Sequence, residues 1–291
     1  MFVLRLISRL PLSVLYFVSD FLFFISCYVV RYRKQLVIRN LHKAFPDKPK
    51  AEIRKITREF YRNLSDYVVE TLKLLTINRD ELTQRVIFTN PEVLAAHTSQ
   101  QQSVLVLASH TFNWEWLLAA GSVQLPAQLD FVYQAQRSRF ANQFSLAGRC
   151  RFGAYPIERF QVGRENLSRK NLIRIVAIVA DQYPGLQRDK KIITSFLHQD
   201  TAFFLAPQIL ANTTGFPVYY ARVRKTGRGY YSVEFQFLGN PPFSNDSDTL
   251  IHRYAAAIER SIHQRPAEWL WSHNRWKKRH LTTTSAAHLR V

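Results

Sequence analysis

Val104-Leu-Val-Leu-Ala-Ser109-His110-Thr-Phe-Asn113-Trp114-Glu115-Trp-Leu-Leu-Ala-Ala120-Gly121 is the stretch whose reading decides the fold. The apolar run 104–108 is too short for a stable helix and is rich in β-branched Val, so it predicts a strand. Asn113 is a good N-cap and Gly121 a helix stop, so a helix is expected between them. His110 then sits at the carboxyl end of a strand, where open α/β sheets place their ligands. Glu115 falls in the first helical turn, where its charge suits the helix dipole. On one continuous helix, residues five apart would point about 140° away from each other. Across a strand–turn–helix junction the chain can fold back, and the Glu115 carboxylate is expected to accept from the imidazole. That contact would fix the tautomer and make His110 a general base. The plainer reading is a strand-end histidine followed by a capping acid.

Outward from this stretch, composition narrows the partners. The chain has 291 residues, enough for one large domain or two small ones, and 47% hydrophobic content to fill a core. Its formal net charge of +19 implies a polyanionic partner: nucleic acid, an anionic membrane surface or a phosphorylated substrate. Cys27 and Cys150 lie in an apolar and a basic segment and form neither a metal pattern nor a disulfide framework, which favours a reducing compartment. No metal ligand spacing appears among the scattered histidines.

Residues 10–30 form an apolar stretch with one charge, Asp20, flanked by Arg5 and Arg9 before it and Arg31, Arg33, Lys34 and Arg39 after it. About 20 such residues span a bilayer core. The basic flanks suit a helix that spans, or inserts shallowly, among anionic head groups. No cleavage site follows it, so a removed signal peptide is not expected. Helical period continues from 35 to 76, broken at Pro46 and reopened at Pro49.

From residue 86 short apolar runs alternate with helical ones. Strands are expected at 104–108, 129–133 and 175–180, a helix at 140–147, and a loop at 148–159 whose Arg149, Arg151 and Arg159 can converge on an anion. The strand at 175–180 ends in Asp181-Gln182, followed by Arg188 and Lys190, which would form a cleft rim. A helix is expected over 203–212, a hairpin from 217–223 and 230–238, and a helix over 250–264. The aromatic and cationic end, 266–279, suits a boundary between apolar and wet surroundings. Three parts result: a membrane-associated helix with basic flanks (1–34), an α/β domain (35–280) with a mixed, mostly parallel sheet between helices, and a disordered tail (281–291).

These residues resemble one family, the bacterial lipid A late acyltransferases of the lysophospholipid acyltransferase superfamily. The signature His, four residues, then Asp or Glu stands here as His110-Thr-Phe-Asn-Trp-Glu115. Asn40-Leu-His-Lys-Ala-Phe-Pro46, Tyr61-Arg-Asn63, the loop around Arg149, Arg151 and Gly153, Asp181-Gln182, and Trp271-Ser-His273-Asn-Arg275-Trp-Lys277 also fit. The resemblance implies a glycerol-3-phosphate acyltransferase-like fold. It implies transfer of a fatty acyl chain from acyl carrier protein or acyl-coenzyme A to a glycolipid hydroxyl, at the bacterial inner membrane with the catalytic domain facing the cytoplasm. His110 would be the base, oriented by Glu115, with direct attack and no acyl-enzyme. Backbone N–H groups near Asn113, or an arginine such as Arg151, would hold the oxyanion. Arg149, Arg151, Arg159, Arg188 and Lys190 would meet acceptor or donor phosphates. No cofactor, metal or nucleic acid enters this scheme.

Other readings are an acyltransferase for a different acceptor (a phosphatidylinositol mannoside or an aminolipid), a hydrolase using Ser109, or a basic membrane- or nucleic-acid-binding protein without catalysis. Ser109 and His110 point to opposite faces of a strand, which disfavours a serine relay. No nucleic-acid module is recognisable.

Overall fold

The run Val104–Ala108 is a strand buried at all five positions, which requires cover on both faces of its sheet. In the computed structural model, which describes residues 1–244 and 249–277, that cover comes from two helical layers. The tail expected at 281–291 lies outside the described residues.

The strands are β1 (Val86–Phe88), β2 (Val104–Ala108), β3 (Gln128–Tyr133), β4 (Tyr155–Glu158), β5 (Arg174–Val179), β6 (Lys191–Phe196), β7 (Gln199–Phe204), β8 (Val218–Gly227) and β9 (Tyr230–Gly239). Seven of them form one sheet in the order β1-β9-β8-β2-β5-β3-β4. β8, β2, β5, β3 and β4 run parallel, while β9 returns antiparallel beside β8 and carries β1 parallel to itself. The architecture is therefore α/β with a mixed, mostly parallel sheet, as expected.

The principal helices are α1 (Leu12–Phe24), α2 (Lys34–Ala44), α3 (Lys50–Lys73), α4 (Trp114–Gln124), α5 (Arg139–Arg149), α6 (Ala206–Thr214) and α7 (Leu250–Gln264). Period-two geometry splits the central strands between two cores. Leu105, Leu107 and Val176 join the core beneath α7, with Tyr254, Ala255 and Ile258. Val104, Val106, Ala108 and Ile175 join the one beneath α4, with Trp116, Ala119 and Ala120.

α1 continues through a wider turn at Ile25–Val29, and Leu12–Val29 is long and apolar enough to cross a membrane. One side of it packs on α3. Ser19 donates to Asp66 at 2.8 Å, and Asp20 pairs with Arg228, which also holds Asp66. The lone charge in the apolar run thus turns back to the protein, while Phe17, Phe21, Phe24 and Val29 stay exposed.

Three expectations need correction. Residues 203 and 204 belong not to a helix but to β7 of a separate antiparallel pair, β6–β7. Its turn residues, Leu197 and His198, take φ of 51° and 60°, positions that Asn or Gly usually marks in sequence. Burial of Leu197 offsets the cost. The segment 148–159 is not one loop: Arg149 ends α5 and Tyr155–Glu158 is β4. The aromatic C-terminal segment is not a wet boundary: Trp269, Trp271 and Arg275 are buried behind the sheet's carboxyl edge. Asn40 donates to the carbonyls of Trp271 and His273, and Arg33 to that of Ser272, so the α2 motif serves to hold this segment.

Candidate functional site

Sheet register brings the first two site residues together. Ala108 of β2 pairs with Val179 of β5, so the residues two beyond each, His110 and Asp181, leave the same edge side by side. Asp181 Oδ1 lies 2.5 Å from His110 Nδ1, and its Oδ2 accepts from the His110 backbone N–H at 2.9 Å and from the Trp269 indole at 2.7 Å. Burial pushes the Asp181 carboxyl up, but the facing imidazole and the indole and backbone donors outweigh it and hold the group below its usual value. An ionised carboxylate only accepts, so His110 carries a proton on Nδ1, and in the neutral ring the lone pair is then on Nε2. That nitrogen faces the Gln182 amide at 3.1 Å.

The partner of His110 is therefore Asp181, and the expected contact with Glu115 is absent. Glu115 is buried in the first turn of α4, where Arg149 grips it bidentately: Nε to Oε2 at 2.7 Å and Nη2 to Oε1 at 2.5 Å. Trp114 Nε1 adds a bond to Oε1 at 3.1 Å. Both carboxylate oxygens are thus held by Arg149 and not by His110. The Trp114 ring fills the gap instead, its centroid 5.0 Å from that of His110.

The turn itself is held from outside. Phe112 N–H donates to the Glu268 carbonyl and Leu270 N–H to the His110 carbonyl, with Thr111 bridged to Trp269. Asn113 caps α4 by accepting from the N–H groups of Glu115 and Trp116 at 3.0 and 3.1 Å. Those two donors are consumed by the cap and so are not free for an oxyanion. Ser109 Oγ faces the other way and bonds Thr111 and Tyr220. His273, behind the site, accepts from the Tyr183 N–H at 3.2 Å. Burial lowers its pKa to about 4, so it stays neutral at neutral pH.

His110 and Gln182 open onto a cavity of about 850 Å³, within the range of pockets that take small ligands. Part of it lies between α4 and one face of the sheet, and it continues over the edge to Phe204, Pro207 and Leu210 of β7 and α6. Val106, Ala108, Ile175, Ala177, Leu129 and Phe131 line it on alternate strand positions, facing Leu117, Leu118 and Gly121 of α4. The space exists because Ala108, Ala177 and Gly121 stand where larger residues would interdigitate. A Cβ on Gly121 would already meet Leu129 at 3.1 Å.

Cations ring this cavity: Arg149, Arg159, Arg188 and Lys190 all line it. Arg159 is paired with Asp189 and donates to Gln134. Arg188 lies over the Phe160 ring at 3.7 Å, and neither it nor Lys190 has an ion pair among the described residues. Arg151 is elsewhere. It donates to the carbonyls of Leu74 and Ile77, just past the end of α3, and lies over Phe152. Its expected place at the anion site is not where the fold puts it.

Sequence reasoning placed Asp181 only on the rim and assigned Trp269 and Gln182 no function at His110. The available signal was the matched polar residues following two apolar strands, which becomes a pair once the strands are known to be neighbours. Among curated proteins, none matches the chain. The family model for bacterial lipid A biosynthesis acyltransferase matches residues 1–278, nearly the whole length, and the chain belongs to that family.

Proposed function

We propose that this acyltransferase moves a fatty acyl chain from a thioester, carried by acyl carrier protein or coenzyme A, to a hydroxyl of a lipid A precursor or related glycolipid. The observation that carries the reading is a carboxylate-oriented imidazole opening onto a largely apolar cavity of about 850 Å³ with a cationic rim. His110 Nε2 takes the hydroxyl proton as the oxygen attacks the thioester carbonyl. The tetrahedral intermediate then collapses, and the departing thiolate takes the proton back from the imidazolium. Asp181 fixes the tautomer and stabilises the imidazolium. General-base assistance of this kind is worth about 10²–10⁴-fold.

Glu115 acts in this scheme through Arg149, not through His110. With Nε and Nη2 bound to Glu115, the guanidinium keeps Nη1 for the oxyanion, a contribution of about 10²–10³-fold. The acyl chain occupies the cavity beneath α4. Arg159, Arg188 and Lys190 meet the phosphates of the acceptor or donor. The exposed apolar side of Leu12–Val29 enters a bacterial inner membrane, with the catalytic domain on its cytoplasmic face, and the +19 charge favours that anionic surface.

The test is mass spectrometry of total lipids from cells expressing the wild-type chain or His110→Ala. A glycolipid that gains one acyl chain only with His110 intact is the expected outcome. No acyl change in any lipid would refute the function.

A further inference from the structure

Glu70 is fully buried and takes no part in the chemistry above, yet three elements converge on its carboxylate. Tyr16 of α1 donates to Oε1 at 2.9 Å, and Tyr231 of β9 donates to Oε2 at 2.7 Å. Asn113 Nδ2 also donates to Oε2, at 2.8 Å. The Glu70 carbonyl meanwhile accepts from the Trp116 indole at 2.8 Å. Asn113 is thus held at both ends of its amide, with Oδ1 spent on the N–H groups of Glu115 and Trp116 and Nδ2 on Glu70. An amide has one accepting and one donating end. If Nδ2 lost its carboxylate, the side chain could turn over, and the first turn of α4 would lose its cap.

We propose that Glu70 is a positioning residue: by fixing which way the Asn113 amide points, it holds the α4 first turn, and with it the Glu115–Arg149 clamp, in place for acyl transfer. This rests on the proposed function for its kinetic consequence but not for its structural one. The neighbouring ionisable groups are Tyr16, Tyr231, Asp66 on α3 and Lys225 on β8, the last two already paired with each other at 2.9 Å.

The test exchanges the roles of the two groups in the full chain, purified in detergent. Asn113→Asp alone keeps a cap oxygen but sets two carboxyls against each other. One shared proton can join them at low pH, and repulsion grows as that proton is lost. Its kcat is expected to fall at least tenfold relative to wild type as pH rises and the shared proton is lost, with the donor KM changing less than twofold. Adding Glu70→Gln restores an amide–carboxylate pair with its ends reversed and should bring kcat back within about threefold and abolish the new pH dependence. Glu70→Leu, which leaves Nδ2 with no acceptor, should lower kcat roughly ten- to hundredfold.

Hydrogen exchange over residues 112–120 supplies a readout independent of activity. The Glu115 and Trp116 amides should exchange faster in Asn113→Asp and in Glu70→Leu, and recover in the double variant. Wild-type protection and kcat in Asn113→Asp, or a double variant no better than the single, would overturn the assignment. Should Glu70→Leu not fold, the exchanged pair decides alone. A wild-type protein that transfers no acyl chain would sink the proposed function, while the exchange data would still decide the role of Glu70.

Discussion

His110 gains its character from groups that lie far away in the chain. Asp181 is 71 positions on, and it fixes the proton on Nδ1 and frees Nε2. Asp181→Asn is expected to lower kcat by about 10²–10⁴-fold while leaving KM for the donor little changed, because the tautomer and imidazolium stabilisation are lost together. Arg151→Ala supplies the contrast. Its guanidinium holds the chain after α3, so the variant should lower the unfolding midpoint and leave acceptor kinetics unchanged. Glu268 bears on the turn after β2 through its carbonyl, which accepts from the Phe112 N–H, and burial raises its carboxyl to about 7. The folded state therefore holds a proton that the unfolded chain has already released above the ordinary carboxyl value of 4.5. Stability should fall as pH rises from about 4.5 to 7, by about 3 kcal/mol at most. Glu268→Gln should flatten that slope in denaturant titrations across the window.

At the scale of elements, the site depends on β2 and β5 being neighbours and on small residues between the sheet and α4. Ala177, in the central strand, is only partly buried because it borders the cavity. Ala177→Leu should fill part of that space, shifting donor preference to shorter acyl chains with little change for the shortest. Competition between donors of different length, read by mass spectrometry of the product, measures it, and an unchanged preference would remove the cavity from chain binding. The β6–β7 hairpin shows where local pattern failed. Its turn is made by Leu197 and His198 without the usual residue signal, and Phe203-Phe204 carry no period that separates a short strand from a helix start. By contrast, Leu250–Gln264 was legible to the residue, because an amphipathic helix with a Thr249 cap announces itself locally.

On the scale of the whole molecule, the N-terminal helix and the charge surplus act together. α1 is fastened to α3 by Ser19 and Tyr16, with Phe17, Phe21 and Phe24 turned outward. Binding to vesicles containing anionic lipid should weaken as salt rises, since the +19 charge is screened over about 8–10 Å at physiological ionic strength. Phe17→Asp with Phe21→Asp should abolish the salt-resistant remainder without lowering the unfolding midpoint, as measured by vesicle sedimentation. The family, the α/β class, the membrane-competent helix and the strand–turn–helix at 104–121 were determined by the sequence itself, because each rests on local periodicity, capping or a contiguous motif. Only the tertiary structure decided that Asp181 orients His110, that Glu115 belongs to Arg149, that Arg151 leaves the site and that the C-terminal tryptophans are buried. Those pairings join residues 34 to 88 positions apart, and which of several nearby acids meets a given base depends on strand order and register that no local pattern specifies.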